Sequence, residues 1–105
     1  MKTEVSILHH DYPARVRETV EEKLSHLVKF FDRVVSMRAL LERQGEVHRV
    51  ELVGNVGRGL VLIAEGKGES FTNALDLAMD RMTRHLKRHH DKLTRERHRG
   101  TRNGR

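Results

Sequence analysis

The stretch ALDLAMDRMTRHLKRHHDKLTRERHR, residues 74–99, has the pattern of one long amphipathic helix. At about 100° per residue, its apolar positions share one face of a single long helix: Leu75, Ala78, Met79, Met82, Leu86 and Leu93. A second stripe, roughly a third of a turn away, is cationic and consists of Arg81, Arg84, His85, Arg88, Lys92 and Arg95. The pattern predicts a helix that buries one face in a core and presents positive charge on another. The alternative for such a charge run is a solvated face without a partner.

The composition limits the size of the molecule, its architecture and the kind of partner that it can bind. A chain of 105 residues with 36% hydrophobic and 34% charged residues has the size of one domain, with a core between two layers. The net charge of +6 is unevenly distributed, because most acidic residues precede residue 52 whereas residues 81–105 are strongly basic. A basic excess on one element indicates a polyanionic partner, most often nucleic acid.

The absence of cysteine excludes disulfides, thiol catalysis and cysteine-ligated zinc, and it is compatible with a reducing compartment. The N-terminal residues lack the apolar run of a signal peptide. No segment approaches the roughly 20 apolar residues of a membrane helix. We therefore expect a soluble cytoplasmic protein that does not interact with membranes.

Hydrophobic periodicity predicts a strand over residues 2–8, followed by a helix that starts at Pro13 with Asp11 or Tyr12 as its cap. The core stripe of this helix is Val16, Val20, Leu24, Leu27 and Phe31. Three further strands are predicted over residues 34–42, 47–53 and 60–65. The last of these is the most apolar, which favours a central position in the sheet. Residues 66–69 should break it, and Ser70 should cap the long helix.

The element order predicts an α+β fold, a β-α-β-β-β-α two-layer sandwich. A four-stranded mixed sheet would carry both helices on one face, with a right-handed crossover joining the first, parallel strand pair. The opposite face of the sheet, which neither helix covers and which we call the open sheet face, should be polar. We assign residues 1–95 to this domain and residues 96–105 to a basic flexible tail.

Several kinds of catalytic or ligand site are disfavoured. The glycines of residues 54–59 lie between strands, outside the context of a dinucleotide fingerprint, and residues 66–68 lack the P-loop pattern. His85 and His89 have the spacing of two metal ligands, but neighbouring cations oppose a metal ion. No acid/base or nucleophilic constellation can be assembled, so we expect no enzyme, cofactor or small-molecule substrate. Aromatic residues are too scarce for a base-stacking platform.

The remaining candidate is a phosphate-binding surface. Two helices side by side on one sheet can bring their basic flanks together, and arginine binds phosphate bidentately. The predicted RNA-binding residues are Arg15, Lys23, Arg33, Arg81, Arg84, His85, Arg88, Lys92 and Arg95. Such a surface reads phosphates rather than bases and recognises structured RNA mainly by its shape.

The sequence resembles a known family over residues 2–95. The matching residues of the first helix are Arg17-Glu18, Val20-Glu21-Glu22-Lys23-Leu24, Leu27 and Phe31-Asp32-Arg33. In the second helix they are Ala74-Leu75-Asp76, Met79-Asp80-Arg81-Met82, Leu86-Lys87 and Lys92-Leu93. The family is that of the ribosome hibernation-promoting factors, also called ribosome-associated inhibitors or sigma-54 modulation proteins, in the short single-domain form.

The resemblance implies a fold similar to a double-stranded-RNA-binding domain. It also implies binding to the small ribosomal subunit and its rRNA, in the channel for messenger and transfer RNA, which silences translation in stress or stationary phase. Longer members carry a dimerisation domain for which this chain is too short, so promotion of ribosome pairs would involve a ribosome-dimerising partner factor. The basic tail favours the hibernation-promoting form over the inhibitor form with its acidic tail. Two alternatives stay open: a general structured-RNA-binding protein, and a regulator that acts by protein–protein contact.

Overall fold

A computed structural model of the chain describes residues 2–8, 12–31 and 33–103, with their side chains except those of residues 2, 30 and 93–103. Its elements are β1 (Lys2–Ile7), α1 (Ala14–Phe30), β2 (Ser36–Gln44), β3 (Val47–Asn55), β4 (Val61–Gly68) and α2 (Phe71–Asn103). The predicted order β-α-β-β-β-α is confirmed.

The four strands form one mixed sheet in the order β1-β2-β3-β4. β1 and β2 are parallel and joined by α1, whereas β2, β3 and β4 pair as successive antiparallel hairpins. α1 lies over β1 and β2, and α2 lies over β4 and β3. Both helices share one hydrophobic core with the sheet. The predicted two-layer α+β sandwich is therefore confirmed.

The core follows the predicted periodicity. Buried side chains come from α1, from alternate positions of the strands and from the apolar face of α2, and they include Val20, Leu24, Leu27, Met37, Leu41, Val50, Leu52, Leu75, Ala78, Met82 and Leu86. Val16, Phe31 and Met79 are partly buried against this core. Leu93, which was assigned to the same face, lies outside the described side chains.

β4 lies at the edge of the sheet, so its predicted central position is wrong. The apolar run is divided between two faces: Ala64 is buried, whereas Val61 and Ile63 on the open face are 46% and 56% exposed. Apolar content alone does not determine strand order, because successive hairpins place the last strand at the edge whatever its composition.

The glycines that were expected to break β4 belong to it instead. A Cβ built on Gly66 would lie 2.6 Å from the amide nitrogen of Ala78 and would also clash with the carbonyl oxygen of Ala74. A Cβ on Gly68 would lie 2.9 Å from that of Asn73. The first two turns of α2 therefore lie directly on the strand backbone, at a distance that no larger residue would permit.

The two helices begin differently. Ser70 caps α2 as predicted, since its Oγ accepts a hydrogen bond of 3.1 Å from the amide of Asn73. In α1, Pro13 is itself the N-cap and there is no side-chain cap bond, so its prediction as the first helical residue is wrong. Tyr12, predicted as a possible cap, instead places its hydroxyl 3.1 Å from Nδ1 of His48. Asp11, the other predicted cap, lies outside the described residues.

α2 is much the longest element, with 33 residues. Residues 96–103, assigned to the basic tail, are helical in backbone, and residues 104–105 lie outside the described residues. The domain boundary at residue 95 stays a prediction. Neither described helix is both long and apolar enough to cross a membrane.

Candidate nucleic-acid interface

The basic stripe, defined as Arg81, Arg84, His85, Arg88, Lys92 and Arg95, runs along the side of α2 that faces away from α1. Arg81 fixes this orientation, because its Nη1 donates a hydrogen bond of 2.7 Å to the carbonyl oxygen of Glu65 on the edge strand β4. His85 is half-buried beside the core face. Arg95 is in the helix, but its side chain lies outside the described residues.

The cations of the stripe differ in whether a carboxylate lies beside them. Arg84 forms an ion pair with Asp80, one turn earlier on the same helix. Arg88 and Lys92 are exposed, and neither has an ion-pair partner among the described residues. The unpaired charge of the stripe is therefore concentrated in the second half of α2.

The basic flank of α1 lies on the other side of α2. Lys23 Nζ is 3.3 Å from the Oδ1 of Asp76, and this exposed pair bridges the two helices. Beyond it, an apolar groove of about 590 Å³ lies between the helices, with Leu27, Phe31 and Met79 in its walls. Arg15 is exposed in the first turn of α1. Lys23 therefore does not join the basic stripe in one patch, and the expected merging of the two flanks does not occur there.

Arg33 and Lys92 do come together, although they are distant in sequence. They line a cleft of about 480 Å³ at one end of the sheet, where the α1–β2 connection, the β3–β4 loop and α2 meet. The other residues of this basic cleft are Val56, Gly57, Arg58, Leu60 and His89. The cleft thus collects three cations and an imidazole from three separate segments.

Sequence reasoning missed Arg58, which lies among the glycines of residues 54–59. Arg58 has φ +57°, and its neighbours Gly57 and Gly59 have φ +86° and +74°. A left-handed conformation is uncommon for a residue with a side chain, and it occurs here between two glycines that adopt it at little cost. The sequence feature that could have identified Arg58 is an arginine between two glycines in a hairpin loop.

The open face of the sheet carries a different charge arrangement. Arg49 lies between two carboxylates, with Nη2 2.7 Å from Glu65 Oε2 and 3.1 Å from Glu51 Oε2. The hydrogen bond from Arg49 lowers the pKa of Glu65 and raises the pKa of Arg49. Lys67 Nζ approaches the same Glu65 carboxylate at 3.8 Å. The charges of Arg49 and Lys67 are thus offset locally by acids, whereas the exposed Arg38 on the same face has no ion-pair partner among the described residues.

The histidines do not assemble into a metal centre within the described part of the chain, where no three potential ligands converge. His85 and His89, which have the spacing of two helical ligands, stand one turn apart on α2. His89 lines the basic cleft instead. The imidazole can donate or accept hydrogen bonds there, beside three permanent cations.

Comparison with known proteins places these features in a family context. The curated relatives include a ribosome hibernation promoting factor from Azotobacter vinelandii, 30% identical over 92 residues that cover 88% of this chain and 85% of the relative. A ribosome hibernation promoting factor from Pseudomonas putida is 26% identical over 92 residues, with 88% and 89% covered.

Solved structures share the fold. A ribosomal subunit interface protein from Coxiella burnetii superposes with a TM-score of 0.78 at 16% identity, covering 87% of this chain and 99% of the other. The N-terminal domain of Protein Y from Thermus thermophilus gives 0.72 at 22% identity, covering 84% and 98%. The family profile described as sigma 54 modulation protein / S30EA ribosomal protein matches residues 3–94. Because that match spans nearly the whole chain, as the resemblance in both helices predicted, the protein belongs to the sigma 54 modulation protein / S30EA ribosomal protein family.

Proposed function

We propose that this chain is a ribosome hibernation factor. It binds the small ribosomal subunit through rRNA phosphates, occupies the channel for messenger and transfer RNA, and thereby silences translation in stress or stationary phase. The names of the Azotobacter and Pseudomonas relatives support the ribosome as the target. The inhibition is steric and involves no catalysed reaction.

One observation carries the proposal: cations without an ion pair are grouped at one end of the helical layer. Arg49 and Lys67 on the open sheet face lie within 4 Å of carboxylates. Among the described residues, Arg33, Arg88 and Lys92 at the far end of the helical layer have no ion-pair partner. Unpaired, exposed cations keep their full capacity to replace counterions on a polyanion.

The available chemistry favours phosphate contacts over base reading. Arginine offers a fork of donors that matches a phosphate, and lysine acts as a point charge. Of the aromatic side chains that the structure describes, Tyr12, Phe31 and Phe71 are half-buried against the core. The described residues thus present no aromatic platform on the open sheet face for stacking bases. Recognition would depend on how phosphates are arranged in three dimensions, as in structured RNA.

The proposal extends to ribosome pairing. The resemblance implies that the hibernation-promoting form works with ribosome dimers, and in that case a separate dimerising factor would act beside this chain. This chain would occupy the channel, and the partner factor would form the contact between ribosomes. Sedimentation of extracts with and without the chain would then show fewer paired ribosomes in its absence.

Co-sedimentation with purified small subunits tests the main proposal. The chain should sediment with the subunits, and added salt should release it, because counterion release drives binding. The double variant Arg84→Glu/Arg88→Glu should bind more than tenfold more weakly. The matched control Arg38→Glu/Lys67→Glu makes the same change of net charge on the open sheet face and should bind nearly as well as the wild type.

Two other outcomes would favour other functions. If free duplex RNA competes as well as the subunit, the protein is a general structured-RNA binder and the ribosome is not its specific target. If the chain captures a protein from nuclease-treated extract and ignores ribosomes, it regulates by protein–protein contact. Equal binding by the Arg84/Arg88 variant and the wild type would eliminate the basic stripe as the contact surface.

A further inference from the structure

The basic cleft combines features that phosphate contacts alone do not require. Three cations, Arg33, Arg58 and Lys92, line it together with His89, and none of these side chains has an ion-pair partner among the described residues. Their convergence from three segments brings like charges together, an arrangement that is unfavourable in the unliganded protein and favourable around an anion.

The wall of the cleft is apolar at the same place. Val56 and Leu60 line it beside the cations, and Leu60 is 43% exposed. An adjoining recess, which also contacts Arg33, Val56 and His89, reaches the buried Leu86 and Val34. An apolar wall next to a cluster of cations suits a ligand with a flat, weakly polar part attached to an anionic group.

Arg58 is held in place at a conformational cost. Its φ of +57° lies in the left-handed region, which is unfavourable for residues with a Cβ. The loop is closed around it by the hydrogen bond from the Leu60 amide to the Gly57 carbonyl at 3.0 Å. The Gly57 amide also donates to the Asn55 side-chain oxygen at 2.9 Å. Strain of this kind persists where the surrounding structure imposes it, and it is concentrated at ligand sites.

We propose that the basic cleft binds a single nucleotide unit, with the phosphate on Arg58 and the nucleoside against Val56 and Leu60. A volume of about 480 Å³ is within the range of pockets for small organic ligands. The identification of the nucleotide's source rests on the proposed function: if the chain binds the ribosome, the unit is an unstacked nucleotide of rRNA. A free nucleotide has the same chemistry, and the experiment distinguishes the two sources.

The site itself is tested without ribosomes, by NMR titration of the ¹⁵N-labelled full chain with adenosine 5′-monophosphate, inorganic phosphate and adenosine. The nucleotide should shift the amide resonances of residues 56–60, 89 and 92 saturably. Phosphate should shift a subset of them at higher concentration, and adenosine should shift few. Shifts spread evenly along the basic stripe, or none in the cleft, would overturn the proposal.

Two variants separate the parts of the ligand. Arg58→Gly keeps a left-handed backbone and removes the guanidinium, so nucleotide affinity should fall about tenfold, as expected for one charge-assisted hydrogen bond. Leu60→Ala should weaken binding of the nucleotide but not of phosphate. If Leu60→Ala affects neither ligand, the wall does not contact the nucleoside and the inference is wrong. The NMR spectra report whether each variant is folded.

Binding to small subunits identifies the source of the nucleotide. If the unit belongs to rRNA, Arg58→Gly should weaken subunit binding about tenfold, whereas the control Arg38→Ala, which loses the same charge from the open sheet face, should not. If Arg58→Gly loses only nucleotide binding, the ligand is a free nucleotide. If the wild type binds nucleotide in the cleft but does not bind ribosomes, the proposed function is wrong, whereas the nucleotide site in the cleft is supported.

Discussion

Replacing Arg88 and Lys92 by alanine should roughly halve the salt dependence of binding to small ribosomal subunits. Both side chains are exposed on the second half of α2 and lack an ion-pair partner among the described residues. They are four residues apart and therefore lie on the same side of the helix. A phosphate contact by either of them would release counterions, and loss of both contacts should reduce that release.

The magnitude follows from the number of unpaired cations. Each phosphate neutralised contributes about −0.7 to −0.9 to the slope of log K against log salt. If Arg33, Arg58, Arg88 and Lys92 contact one phosphate each, the slope is about −3, which means a loss of roughly 60-fold in affinity from about 50 to 200 mM salt. The double alanine variant would have a slope of about −1.5 and a loss of roughly eightfold.

The assay is equilibrium binding of fluorescently labelled protein to purified small subunits at several monovalent salt concentrations and constant magnesium. The control Arg38→Ala/Lys67→Ala removes the same net charge from the open sheet face, where Lys67 is 3.8 Å from a Glu65 oxygen. Its slope should match that of the wild type. An equal reduction in both variants would show a general charge effect, and an unchanged slope for Arg88→Ala/Lys92→Ala would refute the assignment of these contacts.

Three further predictions concern stability. Gly66→Ala should destabilise the fold by about 3 kcal/mol, because a Cβ there would lie 2.6 Å from a backbone nitrogen of α2; an unchanged urea midpoint would contradict the close packing of strand and helix. Ser70→Ala should cost about 1 kcal/mol through loss of the helix cap, and Ser70→Asp should restore most of it in the same denaturation assay. The Arg49 hydrogen bond lowers the folded-state pKa of Glu65. The stabilisation of the fold by this ion pair is therefore present above the unfolded-state pKa of Glu65 and is lost as the pH falls through the folded-state pKa of Glu65. Stability measured from pH 7 down to pH 3 should therefore decline less steeply in Glu65→Gln than in the wild type, and identical profiles would argue against this ion pair in solution.

Local sequence patterns predict the secondary-structure elements and which of their faces point into the core. Val20 and Leu24 in the first helix, like Met82 and Leu86 in the second, recur at the helical period and are all buried. This success has a local cause, because an amphipathic pattern depends only on the geometry of one element and on the removal of apolar groups from water. The cap at Ser70 is local in the same sense, since its bond spans three residues.

The way in which those elements meet is visible only in the folded chain. β4 is apolar yet lies at the sheet edge, and Gly66 interrupts nothing but allows α2 to lie against the strand. Lys23 pairs with Asp76 across the two helices, whereas Arg58 reaches the same cleft as Lys92. Strand order, helix approach and the convergence of charges are contacts between residues far apart in the chain. The hydrophobic periodicity of a single helix or strand does not predict these contacts, because each contact depends on the position of a second element in the fold.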